Sequence, residues 1–151
     1  LCPIFGVKDE KALEQANNLG IAMQLTNICR DVFEDAENDR IYLPADLFSS
    51  APTTADLKSE DCDSREACTA AKEHLLQMAD ELYTCSDAGI DYLPLRIRIV
   101  VRWASRMYRE IGTVIRTEPE HFHKNRAVVG QPKKMFFLIK CIARSLYKSN
   151  Q

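Results

Sequence analysis

The sequence predicts an all-helical fold. Three observations carry this expectation. Apolar residues recur three and four apart over long stretches, the spacing that lines one face of a helix. Only five glycines occur in 151 residues, and hydrophobic residues make up 46% against 28% charged, far from a disordered or fibrous profile. That length is enough to bury a sizeable core in a single domain.

The spacing gives four to six helices. The first runs from about Glu10 to Asp39, with Asp9 at the N-cap and Pro44 excluding continuation. Ile21, Leu25, Ile28 and Val32 line its apolar arc. Residues 45–63 hold Pro52, Thr53, Thr54 and several serines and aspartates, and read as a loop with one helical turn at Asp46, Leu47 and Phe48. Glu66 to Thr84 is a helix with Ala67, Ala71, Leu75, Met78 and Leu82 as its apolar stripe. Ser86 to Asp91 turns, and Pro94 fits the first turn of the next helix. That helix continues to about Arg116 through Ile99, Trp103, Met107 and Ile111, with Trp103 read as a core residue. Residues 117–131 form a polar loop, and Lys133 to Lys148 is a last amphipathic helix. No repeat, low-complexity tract or internal linker divides the chain.

Several functional classes are excluded. A net charge of -2 gives no footprint for nucleic acid. The six cysteines, Cys2, Cys29, Cys62, Cys68, Cys85 and Cys141, form no CxxC pair, so free thiols in a reducing compartment are expected rather than a disulfide framework. His74, His121 and His123 are not paired with cysteines at zinc-ligand spacing, and the last two read as loop histidines without a catalytic role. No run approaches the roughly 20 apolar residues of a membrane span; no signal or transit peptide is visible, which excludes nothing, because an N-terminal half is expected to be missing.

The most informative stretch is QLTNICRDVFEDAENDRIYLP, residues 24–44. At about 100° per residue, Gln24, Asn27, Asp31, Asp35 and Asn38 fall within an arc of roughly 80°. Two carboxylates four residues apart repel each other on a helix that also packs in a core, unless a cation bridges them or water reaches them. Mg²⁺ suits the pair, because it prefers oxygen ligands and commonly takes one or two carboxylates plus substrate phosphates. A solvated face of an amphipathic helix is the plain alternative. The same DxxxD spacing recurs at Asp87/Asp91, where Gly89 and Pro94 make a turn, and at Asp35/Asp39 at the helix end. Neutral amides upstream and an arginine immediately before set Asp31 and Asp35 apart.

Basic residues flank this stripe and dominate the helix from Leu95. Arg30 is placed to pair with Glu34 at i+4, and Arg40 to interact with the C-terminal end of the helix. Arg98, Arg102, Arg106 and Arg109 share a face, either as a diphosphate-binding surface of guanidinium forks or as a solvated, salt-bridged face. Tyr108 lies on a different side.

Residues 19–48 resemble the second aspartate-rich motif of the squalene and phytoene synthase family, whose members are head-to-head prenyl transferases. The RDVxED core followed by RxYLP is more similar to the phytoene synthase branch. LCPIFG at 1–6, YREIG at 108–112 and RAVV at 126–129 also match in order and approximate spacing, so the resemblance covers essentially the whole chain. It implies the all-α class I isoprenoid-synthase helical bundle, with residues 1–151 as the C-terminal half of one prenyl-synthase domain. The half carrying the first DxxxD is not within the chain, and this piece alone is expected to be inactive.

The resemblance further implies that Asp31 and Asp35 are catalytic metal ligands, with Asn27 as a neutral oxygen ligand and Mg²⁺ (Mn²⁺ as an alternative) as cofactor. It places Gln24, Arg30, Arg40, Tyr108 and Arg126 at a prenyl diphosphate substrate, with Lys124 and Lys133 as alternatives to Arg126. The implied reaction joins two geranylgeranyl diphosphates into phytoene, in carotenoid biosynthesis, inside an apolar helical tunnel. Squalene or dehydrosqualene synthesis from farnesyl diphosphate is the alternative within the fold. A non-enzymatic family relative acting in assembly is a second alternative, and a helical interaction module with an incidental acidic stripe is a third. The expected location is cytoplasmic or peripheral to a membrane (plastid in a eukaryote), with no obligate protein partner.

Overall fold

A computed structural model describes residues 6, 8–59, 62–117 and 128–149. Five α-helices carry the architecture: α1 (Glu10–Glu37), α2 (Thr54–Lys58), α3 (Cys62–Ser86), α4 (Leu95–Thr117) and α5 (Gln131–Ser149), with 3₁₀ turns at Ala45–Leu47 and Gly89–Tyr92. There is no strand among the described residues. The all-α expectation therefore holds.

α1 is the central helix, packed chiefly on α3 and also on α4, while α4 carries α5 on its other side. Its start follows from Asp9, whose Oδ1 accepts a hydrogen bond from the Ala12 N–H at 2.9 Å, with Glu10 in the favourable first turn. Its end is set by Asp39, which adopts the left-handed conformation at φ 57° that stops a helix. Asn38 closes the last turn by donating its side-chain amide to the Glu34 carbonyl at 2.8 Å. Asn38 therefore caps the helix at the far end of the acidic arc.

The largest core cluster joins Cys29, Val32 and Ala36 of α1 to Cys68, Leu75 and Leu76 of α3 and to Ile111 and Ile115 of α4. A second joins Leu19 and Ala22 to Ala79 and Tyr83, with Val101 and Tyr108 packed against it. The inward faces differ from the apolar arcs of the sequence. Ile21 and Met78 are exposed, whereas Thr26, Lys72, Ser86, Arg102 and Ser105 are buried. Each apolar arc is displaced because several polar side chains find partners inside. Thr26 donates to the Ala22 carbonyl at 2.9 Å and meets the Tyr83 hydroxyl at 3.0 Å. Lys72 lies over the Phe33 ring, 5.4 Å from its centroid.

Two boundaries need correction. The 45–63 segment contains α2, which a loop-like composition concealed. Thr53 caps it, accepting from the Asp56 N–H at 3.2 Å while its own N–H donates to the Asp56 carboxylate at 2.7 Å, a full capping box anchored by buried Leu57. Pro94 precedes α4 rather than lying in its first turn. The expected polar loop, with His121 and His123, falls mostly outside the described residues, as do Cys2 and most of LCPIFG. Cys29, Cys68, Cys85 and Cys141 are free thiols, and burial pushes the Cys29 thiol up to about 12. No helix among the described residues is long and apolar enough to cross a membrane.

Candidate functional site

The acidic stripe sits on the second half of α1. Asp31 and Asp35 are both half-buried, one turn apart on one helix. Arg30 grips Asp31 with two parallel hydrogen bonds, Nε to Oδ1 at 2.8 Å and Nη2 to Oδ2 at 2.7 Å, and both side chains are largely covered. Arg30 thus engages Asp31 rather than Glu34. The hydrogen bond to Asp31 holds the guanidinium above its ordinary value, and the Tyr108 phenol beside it acts in the same direction. The fold has therefore brought Tyr108 of α4 against the Arg30–Asp31 pair, although the two segments are far apart in sequence.

Asn27 is the most telling member. Its Oδ1 is buried and accepts no hydrogen bond from any described residue. A buried carbonyl oxygen without a donor carries its full desolvation penalty, about 1–3 kcal/mol, and calls for an explanation. It lies one turn upstream of Asp31 on the same side of the helix. Two carboxylates and one amide oxygen form a hard oxygen donor set that fits Mg²⁺, which completes its octahedron with water and phosphate oxygens. No cluster of three or more His, Cys, Asp or Glu side chains converges among the described residues, so such a cation would draw its remaining ligands from elsewhere.

The remaining sequence-derived candidates are placed as follows. Gln24 is exposed on the same stripe, two turns before Asp31. Arg40 is exposed just beyond α1, where its backbone N–H donates to the Asp35 carbonyl at 2.9 Å. Arg126 and Lys124 lie outside the described residues. Lys133 pairs with Glu110.

Several of the α4 arginines are engaged by groups of the chain itself. Arg98 donates to the Leu93 carbonyl at 3.2 and 3.1 Å, Arg102 pairs with Asp91 at 2.5 Å with only 5% of its side chain exposed, and Arg116 bridges Glu73 at 2.8 Å and Asp80 at 2.9 Å. Arg109 contacts Asp87 at 3.1 Å and lies over the Tyr83 ring at 5.1 Å. The salt-bridged alternative is the correct one for Arg102, Arg109 and Arg116. Asp87 and Asp91 belong to these pins.

Upstream of the stripe, the first half of α1 borders an apolar cavity of about 400 Å³. Ala12, Ala16, Leu19, Gly20 and Met23 of α1 face Ile97, Val101 and Ala104 of α4 across it, and Ser86, Gly89, Ile90 and Leu93 contribute from the α3–α4 junction. Met23 is one turn from Asn27, and Tyr108 is one turn beyond Ala104. The apolar seam therefore leads into the polar cluster. The spacing of small residues at Ala12, Ala16 and Gly20 was its only signal in sequence, and that pattern is too common to mark a cavity.

The profile of the squalene/phytoene synthase family matches residues 1–133. The 15-cis-phytoene synthase of Enterobacter agglomerans is 34% identical over 139 residues, covering 92% of this chain and 47% of that protein. The phytoene synthase of Pseudescherichia vulneris is 39% identical over 113 residues, 75% of this chain and 36% of its own length. The 15-cis-phytoene synthase of Pantoea ananas is 31% identical over 146 residues, 97% of this chain and 47% of its own. The chain thus spans about half, or less, of the length of these curated relatives.

Proposed function

This chain belongs to the squalene/phytoene synthase family, and from that premise we propose that the full-length protein joins two geranylgeranyl diphosphates head to head to give phytoene. The names of its relatives favour this product over squalene. The observation that carries the site is the buried, unpartnered Asn27 Oδ1 one turn from Asp31 and its Arg30 fork.

Asn27, Asp31 and Asp35 would hold Mg²⁺, which when bound neutralises the diphosphate leaving group as a Lewis acid. Arg30 has two roles available. Its fork fixes the Asp31 carboxylate, and its remaining N–H donors can reach a phosphate oxygen, since a guanidinium carries five. Tyr108 buttresses that fork from α4. The apolar walls at Met23, Val101 and Ala104 exclude water from the allylic cation left after diphosphate departure. Gln24, Arg40 and Arg126 are assigned to diphosphate contact through the family resemblance. The expected setting remains cytoplasmic or peripheral to a membrane.

The test is product analysis on the full-length protein with geranylgeranyl diphosphate. Phytoene formed with Mg²⁺ and abolished by chelation supports the assignment. A folded full-length protein that yields none, or yields it equally with chelator, contradicts it.

A further inference from the structure

One face of α5 has a clear partner. Trp103 of α4 donates its indole N–H to the Lys134 carbonyl at 3.1 Å, and Cys141 is buried. The opposite face is apolar and open. Met135, Phe136, Ile139, Ile142 and Tyr147 are all exposed, from 38% at Ile142 to 69% at Tyr147. At about 100° per residue these five share an arc of roughly 140°, and Lys140, Lys133 and Arg144 follow along one edge of it within roughly 60° more. So continuous an apolar face marks a contact surface.

Charge says what kind of contact. The chain carries a net charge of -2, yet its 22 Asp and Glu all precede His121. α5 holds Lys133, Lys134, Lys140, Arg144 and Lys148 with no acidic residue among them. Lys133 is engaged by Glu110 of α4, while Lys140 and Arg144 are exposed at the rim. The Lys140 ammonium lies 4.4 Å from the centroid of the Phe136 ring, so its apolar stem runs beside the aromatic face, as in a side chain that snorkels. An aromatic and aliphatic face bordered by cations is the pattern of a helix lying in the headgroup plane of an anionic bilayer. A second copy would instead set two cationic faces against each other. The family profile ends at residue 133, so nearly all of α5 lies beyond the matched segment.

We propose that the outer face of α5 docks the protein on an anionic lipid bilayer, with Phe136 and Ile139 inserted below the headgroups and Lys140 and Arg144 at the lipid phosphates. The surface rests on α5 alone and stands independently of the reaction proposed above. Joined to that reaction, it sets the enzyme where a hydrocarbon product enters lipid without crossing water.

The experiment is sedimentation of the full-length protein with vesicles of phosphatidylcholine alone, or of equal parts phosphatidylcholine and phosphatidylglycerol. Binding should be confined to the anionic vesicles and weaken as salt rises. Lys140→Glu with Arg144→Glu should lower the partition coefficient about tenfold or more, and so should Phe136→Ser with Ile139→Ser. Both double variants should melt as wild type does, since the substituted side chains are exposed. Hydroxyl-radical footprinting reads the occupant: Met135 and Phe136 should be labelled in the free full-length protein and protected once anionic vesicles are added. The proposal falls if anionic vesicles are not bound, if both double variants bind as wild type does, or if Met135 and Phe136 are already protected without vesicles. In that last case, protection at every protein concentration assigns the face to the N-terminal half, and protection that grows with concentration assigns it to a second copy. Vesicle binding by a protein that makes no phytoene would keep the docking surface and contradict the reaction alone.

Discussion

The two halves of α1 were built from different materials and were legible to different degrees. Residues 24–40 carry carboxylates, amides and arginines whose types and spacing already specify a chemistry, and the fold added the Tyr108 phenol to them. Residues 12–23 carry alanines, leucines, a glycine and a methionine that specify nothing alone, yet several of them wall a cavity of about 400 Å³. Polar function is readable where rare residue types must sit at fixed spacing. Apolar shape is readable only after the partner helices are in place.

The sharpest way to break this comparison is at its polar end. Asp31→Asn in the full-length enzyme should lower turnover by roughly a thousandfold or more, the loss of several kcal/mol of leaving-group stabilisation. Near-normal product from a folded variant would remove the stripe from the site and leave it a solvated face.

Next comes the contrast between two arginines that looked alike in sequence. Arg102→Leu removes the almost fully buried guanidinium from its ion pair with Asp91, and should destabilise the fold by about 3 kcal/mol. Arg30→Lys should instead leave melting nearly unchanged and raise KM, because an ammonium cannot reproduce the fork. Denaturation and substrate titration on both variants check the split. Equal melting losses would make Arg30 another pin.

Smaller effects concern polar groups on the α3 side of α1. Burial holds the Lys72 amine below the ordinary lysine range, so in the interval between its folded and unfolded values the unfolded chain binds more protons. Stability should rise with pH through that interval and level off above the ordinary lysine value. Lys72→Met should remove this slope and stabilise by about 1 kcal/mol at neutral pH, as a well-packed apolar replacement for a buried cation. Tyr83→Phe should cost about 1 kcal/mol, since only its bond to Thr26 is lost and Thr26 retains the Ala22 carbonyl. Urea titrations across a pH series measure both.

These residues also show where the sequence was silent. The span of α1, its Asp9 cap and the acidic stripe were legible because each rests on local chemistry within a few residues. α2 was not, because its Thr53–Asp56 capping box lies among Pro52 and small polar residues that also describe a loop. The inward faces of α1 and α3 were displaced because Thr26 and Lys72 are satisfied by groups on other helices, which periodicity cannot see. The α4 arginines were ambiguous until Asp87, Asp91, Glu73 and Asp80 arrived beside them.

The central claim is that α1 holds a diphosphate through a Mg²⁺-ligating polar end, and Asn27 tests it most directly because its buried Oδ1 has no other stated task. Calorimetric titration of the full-length protein with inorganic pyrophosphate, with and without Mg²⁺, reads this without turnover. Wild type should bind pyrophosphate only when Mg²⁺ is present, and Asn27→Leu, which fills the same volume without the oxygen, should weaken that binding at least tenfold, about 1.4 kcal/mol, while melting at the same temperature or higher. Binding that ignores Mg²⁺, or an Asn27→Leu protein that binds as wild type does, would contradict it.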